Sequence, residues 1–207
     1  MPVLKAVNKP YKTAQDLKNL INYAVKGKEA ADGGYGAQGV LKGEAESMYC
    51  QMEGVKKYFR KENKRQALHY VLSFSGEEME YIGIREALEI GYAFAGCCCL
   101  GWQVVFGIHT DTDSLHVHFI VNSTSYENGR AFDMGPAGLQ EAKEYVKAAV
   151  QSYYIRSLPE EERRETVCRK AGAMVEIPIC SPASAEKPGT CSAGDSRRGN
   201  TRLFERL

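Results

Sequence analysis

The sequence predicts an α+β fold, with an antiparallel β-sheet of about five strands and helices packed mainly on one face of it. Segments with strand-like and helix-like spacing of apolar residues follow one another in the order β-α-(β)-α-β-α-β-β-α. Two consecutive strands are separated by a short polar stretch, which indicates a hairpin and therefore antiparallel pairing. The composition, 43% hydrophobic and 26% charged over 207 residues, is that of a globular protein with one main domain.

The first half of the chain contributes one strand and two helices. Residues 2–8 predict the strand, and residues 13–26 predict a helix that Thr13 caps. Residues 27–43 are rich in glycine and lack the strand-then-helix context of a phosphate-binding loop. We therefore expect a loop there, with at most a short strand. Residues 45–63 predict the second helix, which ends in a basic run.

The second half of the chain contributes the remaining strands and helices. The predicted spans are a strand at 66–74, a helix at 77–96, hairpin strands at 102–108 and 115–123, a helix at 137–156 and a further helix at 159–171.

Residues 1–172 are expected to form the folded domain. Residues 173–207 are rich in Ser, Pro and Gly, lack periodicity and predict a disordered tail. The chain has no apolar run near the ~20 residues that a bilayer-spanning helix needs, and its N-terminus does not resemble a signal peptide. Its seven cysteines show no framework spacing, which favours free thiols in a reducing compartment. We therefore expect a cytoplasmic protein with no membrane insertion.

The net charge of +1 hides an uneven distribution. Residues 1–70 carry +6, whereas residues 71–103 carry −4 and residues 104–150 carry −3. The densest basic run, residues 56–65, interleaves cations with two aromatic residues, a pattern that suits contact with phosphates and bases. A solvated helix end is the alternative. The candidate DNA-binding residues are Lys56, Lys57, Arg60, Lys61, Lys64 and Arg65.

Three of the four histidines lie within ten residues, on the two strands of the predicted hairpin. His116 and His118 share one face of their strand because side chains alternate with a period of two. The hairpin returns His109, at the end of the preceding strand, to their neighbourhood. Three neutral imidazole ligands leave coordination positions open, which is typical of catalytic rather than structural metal sites.

Nearby polar residues are candidates for orienting these ligands. Asp111 and Asp113 could accept hydrogen bonds from the ring N–H groups, and Asn122 shares the strand face of His116 and His118. Zn²⁺, Mn²⁺, Co²⁺ and Ni²⁺ all suit imidazole ligands. A histidine-triad hydrolase would need a further histidine in place of Ile120, and a zinc deaminase would need a Pro-Cys-x-x-Cys motif, which is absent.

The segment His109-x-Asp111-x-Asp113-x-x-His116-Val-His118-x-x-x-Asn122 resembles the metal motif of relaxases. These are the mobilisation nucleases of conjugative and mobilisable elements, within the His-hydrophobic-His (HUH) endonuclease superfamily. The motif order is similar to the P-type class, and the resemblance covers about residues 1–135. Leu20–Val25 resembles the motif that holds the nucleophilic tyrosine, and His69–Phe74 resembles the motif whose serine contacts DNA.

The resemblance implies a relaxase-like fold and a reaction on single-stranded or hairpin DNA at an origin of transfer, in the bacterial cytoplasm. Tyr23 would attack phosphorus and form a 5′-phosphotyrosine, with help from Asp111, while Ser73 contacts the DNA. The three histidines would hold a divalent ion, commonly Mn²⁺ or Mg²⁺ in this family. Accessory mobilisation proteins and a type IV secretion coupling protein would be the further partners.

Two other interpretations remain open at this stage. An HUH nuclease of replication initiation or transposition typically carries its tyrosine after the histidine pair, where Tyr145, Tyr153 and Tyr154 lie. Relaxases also generally continue beyond the nuclease domain, so the chain could be a truncated, non-catalytic DNA-binding remnant. The intact set of three histidines argues against such a remnant.

Overall fold

A computed structural model describes residues 1–27, 30–111 and 114–170 of the chain. The tail predicted at residues 173–207 lies outside them. The strands are β1 (Val3–Ala6), β2 (Ala30–Gln38), β3 (Ala67–Ser73), β4 (Trp102–Asp111) and β5 (Ser114–Ser125). The helices are α1 (Ala14–Lys26), α2 (Ala45–Tyr58), α3 (Ile84–Cys98), α4 (Pro136–Ser157) and α5 (Glu160–Lys170). Of the described helices, none has the length and apolar character needed to cross a membrane.

The five strands form one antiparallel sheet in the order β1-β3-β5-β4-β2. The predicted α+β class, the antiparallel sheet and the hairpin of β4 and β5 are thereby confirmed. The hairpin register pairs His109 with His116, and the neighbouring register of β3 and β5 pairs Ser73 with His116. The last residues of β3 and β4 and the first residues of β5 thus lie at the same end of the sheet, with their polar side chains together.

The helices pack on both faces of the sheet, so the prediction of mainly one-sided packing is wrong. Helices α1 and α2 cover the face that carries Val105 and Ile120. Helices α3 and α4 cover the opposite face, which carries Phe106 and Phe119. The physical reason lies in β5, which is buried along nearly its whole length, with Ile120 in the core under α1 and α2 and Phe119 in the core under α3 and α4. A strand that is buried on both faces needs a covering layer on each.

The glycine-rich segment forms a nine-residue strand, β2, rather than the expected loop. It pairs with β4 along one edge of the sheet. A Cβ atom built on Gly36 would lie 2.3 Å from the ring of Phe106, and one built on Gly91 of α3 would lie 2.4 Å from the same ring. The glycines therefore make room for this phenylalanine in the core, and their presence does not indicate a flexible connection here.

Helix α1 is fixed at both ends. Thr13 accepts a hydrogen bond from the backbone of Asp16, whose carboxylate in turn accepts from the Thr13 backbone, so the predicted cap is a complete capping box. Towards its C-terminal end the helix lies directly on β4. A Cβ atom built on Gly107 would lie 1.7 Å from the carbonyl oxygen of Ala24. This close backbone contact sets where the last turn of α1 meets the sheet.

Gly107→Ala is expected to destabilise the protein, because a methyl group there collides with the backbone of α1 and neither side can yield cheaply. Overpacking of this kind costs ~1–3 kcal/mol or more. Gly54→Ala, in the exposed middle of α2 with no atom within 4 Å of the added Cβ, is the matched control and should stabilise by ~0.5–1 kcal/mol. Urea denaturation measures both; equal free energies of unfolding for Gly107→Ala and the parent chain would contradict the close contact.

Candidate active site

The three predicted metal ligands converge on the face of the sheet that α1 covers. His109 is fully buried, His118 is buried and His116 is half-buried. One ring nitrogen from each lies within 4.8 Å of the others. The ring centroids of His109 and His118 are 4.5 Å apart, and those of His116 and His118 are 5.2 Å apart. The strand alternation and the hairpin register together bring about this arrangement.

Hydrogen bonds orient two of the three rings. The Nε2 atom of His109 lies 3.3 Å from the carbonyl oxygen of Ala24. A carbonyl only accepts, so Nε2 carries the proton and Nδ1 carries the lone pair. His116 places Nδ1 3.3 Å from the hydroxyl oxygen of Ser114. Each of these contacts holds its ring in place through one nitrogen.

His118 is held by a fourth histidine. Its Nδ1 lies 2.9 Å from Nε2 of His69, and Nδ1 of His69 lies 3.1 Å from the hydroxyl of Tyr11. The Nε2 atom of His118 is buried and has no hydrogen-bond partner among the described residues. Buried polar nitrogens nearly always have a hydrogen-bond or metal partner, so we expect this atom to give its lone pair to a cation. The histidine cluster therefore fits a divalent metal ion.

Burial keeps His69 and His118 neutral. Desolvation, followed by the neighbouring histidines, lowers the pKa of His118 to about 3. Desolvation, followed by the charge of His109, lowers the pKa of His69 to about 4. Both imidazoles are therefore uncharged near pH 7, which is the form that a metal ligand needs.

Tyr23 lies over the histidine cluster, on the last turn of α1. Its ring packs edge-on against His109 at 4.7 Å and against His118 at 5.0 Å between centroids. The side chain is 41% exposed, so it is open to a ligand in solvent as well as to the cluster. Among the predicted residues, Tyr23 is the tyrosine that the fold brings to the three histidines.

The tyrosines of the alternative interpretation lie elsewhere. Helix α4, which carries Tyr145, Tyr153 and Tyr154, packs with α3 on the opposite face of the sheet. The hydroxyl of Tyr153 donates to Glu89 at 2.6 Å, and burial followed by this acceptor raises its pKa. The sheet therefore separates these side chains from the histidines.

Two of the other predicted site residues are resolved by the structure. Ser73 is half-buried and pairs in register with His116, next to the cluster. Asn122 is fully buried and donates to the carbonyl of Met52 and to Gln103, so its assignment beside the metal ligands is wrong. The face predicted for Asn122 was correct, but four residues of strand carry it roughly 13 Å from His118, to where α2 covers the sheet.

The structure does not describe the two predicted aspartates. Asp113 and the side chain of Asp111 lie outside the described residues. Polar groups that contact the histidine rings in the described part of the chain include the carbonyl of Ala24, the hydroxyl of Ser114 and the imidazole of His69. His69 lies four residues before Ser73 on β3, so strand alternation was the signal that could have placed the two side chains on one face. A backbone carbonyl leaves no signal in the sequence.

The basic run separates into a buried lysine and an exposed loop. Helix α2 ends at Tyr58 rather than near residue 63, and Arg60 adopts a left-handed conformation with φ of 56°. Lys56 is only 1% exposed, and its ammonium donates to Ser123 at 2.8 Å. The prediction that Lys56 contacts DNA is therefore wrong, because its charge faces the sheet. The five other predicted cations are exposed: Lys57, Arg60, Lys61, Lys64 and Arg65.

A basic groove adjoins this loop. It has a volume of about 470 Å³ and is lined by Asn8, Lys9, Pro10, Lys12, Asn63, Lys64 and Arg65. The groove lies beside the first residue of β3, whereas the histidine cluster lies beside the last. Six residues of strand separate the two, which is roughly 20 Å.

Comparison with known proteins identifies the family. The family described as "Relaxase: MobA/VirD2-like, nuclease domain" matches residues 23–155, well over half of the chain. This chain belongs to that relaxase family. The relaxase chain is also 30% identical to "Protein rlx" of Staphylococcus aureus over 113 residues, which is 51% of this chain and 33% of that protein. It thus spans about a third of the length of this relative. The resemblance inferred from the three motifs is confirmed.

One solved structure supports the fold of this relaxase domain. The "MobM Relaxase Domain (MOBV; Mob_Pre) bound to 26nt pMV158 oriT DNA" superposes with a TM-score of 0.50 and 12% identity, covering 73% of this chain and 86% of that one. A Mn-bound structure of the same MobM domain with a 22-nucleotide oriT DNA matches with a TM-score of 0.49 and 11% identity, over the same shares of the two chains.

The buried lysine of the relaxase domain predicts a pH-dependent stability. Burial lowers the pKa of Lys56 to about 7, so between pH 7 and the pKa of the unfolded chain the unfolded state binds one more proton. Stability contributed by this group therefore rises with pH in that window, by up to about 1.4 kcal/mol per pH unit. Lys56→Met removes the titration, so its free energy of unfolding relative to the parent should fall by ~2 kcal/mol from pH 7.5 to 9.

Denaturant unfolding at pH 7.5, 8.25 and 9 measures this difference. Lys57→Met is the matched control, because the neighbouring lysine is exposed and its hydrogen bond to Glu53 raises its pKa. Its difference from the parent should stay constant over the same range. Parallel pH profiles for Lys56→Met and the parent chain would show that the Lys56 ammonium is not desolvated.

Proposed function

We propose that this relaxase domain nicks one DNA strand at an origin of transfer by transesterification, for the mobilisation of a plasmid or conjugative element. The Tyr23 oxygen attacks phosphorus, the 3′-hydroxyl leaves, and the protein stays joined to the DNA 5′-phosphate through a phosphotyrosine. The observation that supports this most directly is the position of Tyr23, whose ring packs on His109 and His118. A partly exposed tyrosine against a buried three-imidazole cluster matches the requirements of that reaction.

The histidine cluster supplies the electrostatic part of the proposal. His109, His116 and His118 would hold a divalent ion, with Mn²⁺ or Mg²⁺ as the functional metal and Zn²⁺, Co²⁺ or Ni²⁺ as further ions that imidazole ligands accept. When bound, such an ion polarises a phosphoryl oxygen as a Lewis acid. The neutral rings leave the full charge of the ion for the phosphate.

Positioning is the second part of the proposal, since phosphoryl transfer depends chiefly on alignment. The contact of Ala24 with Gly107 fixes the turn of α1 that carries Tyr23. Ser73, in register with His116, is proposed to contact the DNA backbone next to the cleaved bond. Asp111 is proposed to help remove the tyrosine proton, because a free tyrosine has a pKa near 10 and attacks poorly at neutral pH.

The exposed basic loop and its groove are proposed as the second DNA contact. Lys64 and Arg65 line a groove roughly 20 Å from the cluster, which is about six nucleotides at the 3.4 Å spacing of one strand. Lys57, Arg60 and Lys61 are exposed in the same basic run. The oriT DNA bound by the similar MobM domain supports origin-of-transfer DNA as the substrate, and we propose that it is bound as a single strand or hairpin. Accessory mobilisation proteins and a type IV secretion coupling protein are the further partners of this proposal.

Tyr23→Phe should abolish strand cleavage while leaving DNA binding unchanged, because it removes one oxygen and retains the ring that packs on the histidines. The assay incubates the protein with Mn²⁺ or Mg²⁺ and single-stranded oligonucleotides that tile the DNA around its gene. A covalent protein–DNA adduct is then sought by denaturing electrophoresis, and peptide mass spectrometry locates the modified tyrosine. EDTA should also abolish the adduct.

Tyr154→Phe is the matched control, since this tyrosine is 40% exposed, like Tyr23, but lies on the other face of the sheet. It should form the adduct at the parental level. An adduct on Tyr145, Tyr153 or Tyr154 would instead favour a nuclease of replication initiation or transposition. Tight metal and DNA binding without any adduct would favour a non-catalytic remnant.

The double variant Lys61→Gln, Lys64→Gln should weaken binding to a single-stranded 30-nucleotide DNA and reduce its salt dependence. Each lost phosphate contact lowers the slope of log K against log salt by ~0.7 for single strands, so the expected change is about 1.4. Fluorescence anisotropy between 50 and 200 mM NaCl measures this slope.

Lys143→Gln, Lys147→Gln is the matched control, because it removes the same charge from exposed positions of α4 on the opposite face. Its slope should equal that of the parent chain. Equal losses in the two double variants would indicate a response to net charge alone and would remove the basic loop from the proposal.

A further inference from the structure

We infer that His69 is a positioning residue that fixes His118 as an Nε2 metal ligand, and that Tyr11 in turn fixes His69. The inference rests on the proposed function, because it concerns how the same histidine cluster is prepared for its ion.

The three side chains form a continuous buried chain of hydrogen bonds across separate elements. Tyr11 lies before α1 and bridges to the start of β3, His69 lies on β3, and His118 lies on β5. The contacts are 3.1 Å from Tyr11 to His69 and 2.9 Å from His69 to His118. The three residues are 5%, 7% and 7% exposed, so water has little access to compete for these bonds.

The direction of each hydrogen bond follows from the role of His118, the member of the series that would bind the metal. Nε2 of His118 must keep its lone pair to act as a ligand, so Nδ1 of His118 carries the proton and donates to Nε2 of His69. Nε2 of His69 therefore accepts, and its Nδ1 carries the proton and donates to the Tyr11 oxygen. A neutral imidazole has one donor and one acceptor, and His69 uses both in this arrangement.

His69 has no nitrogen left to act as a fourth metal ligand. Both of its nitrogens are engaged, one by His118 and one by Tyr11, and it is not among the three histidines whose nitrogens lie within 4.8 Å of one another. Groups that orient a ligating imidazole in this way typically change metal affinity 10- to 100-fold when they are removed.

Different kinds of group contact the three rings. A backbone carbonyl of α1 contacts His109, and a hydroxyl two residues away on the same strand contacts His116. The contact of His118 with His69 joins side chains that are 49 positions apart in the sequence. A single distant substitution can therefore release the tautomer of His118.

The experiment compares His69→Leu, which removes the acceptor, with His69→Gln, whose amide oxygen can accept near the former Nε2 position. Mn²⁺ affinity is measured by titration calorimetry, and the tautomer of His118 by long-range ¹⁵N–¹H correlation NMR of the metal-free protein. We expect a 10- to 100-fold weaker Mn²⁺ affinity and a mixed His118 tautomer for His69→Leu. His69→Gln should recover the Nδ1–H tautomer and bind within a few-fold of the parent.

Tyr11→Phe provides a milder variant that tests the far end of the chain if His69→Leu does not fold. It should leave the His69–His118 contact in place but mix the tautomers of His69, with an Mn²⁺ affinity between those of the parent and His69→Leu. Tyr70→Phe is its matched control, because Tyr70 is an equally buried tyrosine whose side chain belongs to the core on the other face of the sheet. Tyr70→Phe should change neither the Mn²⁺ affinity nor the tautomer of His69.

The outcomes separate this inference from the proposed function. A parental His118 tautomer and Mn²⁺ affinity in both His69→Leu and Tyr11→Phe would overturn the inference and leave the proposed function standing. If the parent chain bound no Mn²⁺ but His118 lost its Nδ1–H tautomer in His69→Leu and regained it in His69→Gln, the positioning role would be supported and the metal-dependent function would fail.

Discussion

The contact of the Ala24 carbonyl with β4 is the constraint on which the site depends. This one oxygen occupies the space where Gly107 lacks a side chain, and it also accepts the Nε2–H of His109. The first contact sets the height of α1 above the sheet, and the second sets the rotation of a ligand ring. Tyr23 precedes Ala24 by one residue, so the helix turn that orients the ligand also carries the tyrosine.

Burial gives the histidine cluster its chemical character. In water an imidazole has a pKa of about 6.5, so it is partly protonated near neutral pH. Here desolvation lowers the pKa values of His69 and His118 far below neutrality. His118 therefore presents a lone pair rather than a positive charge beneath the site proposed for a phosphate. Positive charge in the described part of the chain is instead displayed on the basic loop, where the cations are exposed and separated from the rings by most of the length of β3.

Sequence patterns predicted the convergence of His109, His116 and His118 because strand alternation and hairpin closure are local rules. Local rules also explain the errors. Strand alternation predicted the face of Asn122 but not the helix α2 that covers it. The run of cations gave the charge of the loop, but only the tertiary structure turned Lys56 inward to Ser123.

The layering of the helices and the character of the glycine-rich segment were harder to predict. Packing on both faces follows from the burial of both faces of β5. A short apolar run in the sequence does not reveal such burial, because a buried helix segment has the same pattern. In β2, Gly36 leaves room for the ring of Phe106, a residue 70 positions away. A glycine that accommodates a distant aromatic ring has the same sequence signature as a glycine in a turn.

All three ligands belong to one hairpin, whereas the tyrosine comes from a helix far away in the sequence: His109 and the turn that orients it are 85 positions apart. The three histidines are therefore encoded within ten residues, whereas the orientation of His109 and the position of the tyrosine both depend on the last turn of α1. A change that displaces this turn should disturb the histidine cluster and the tyrosine together.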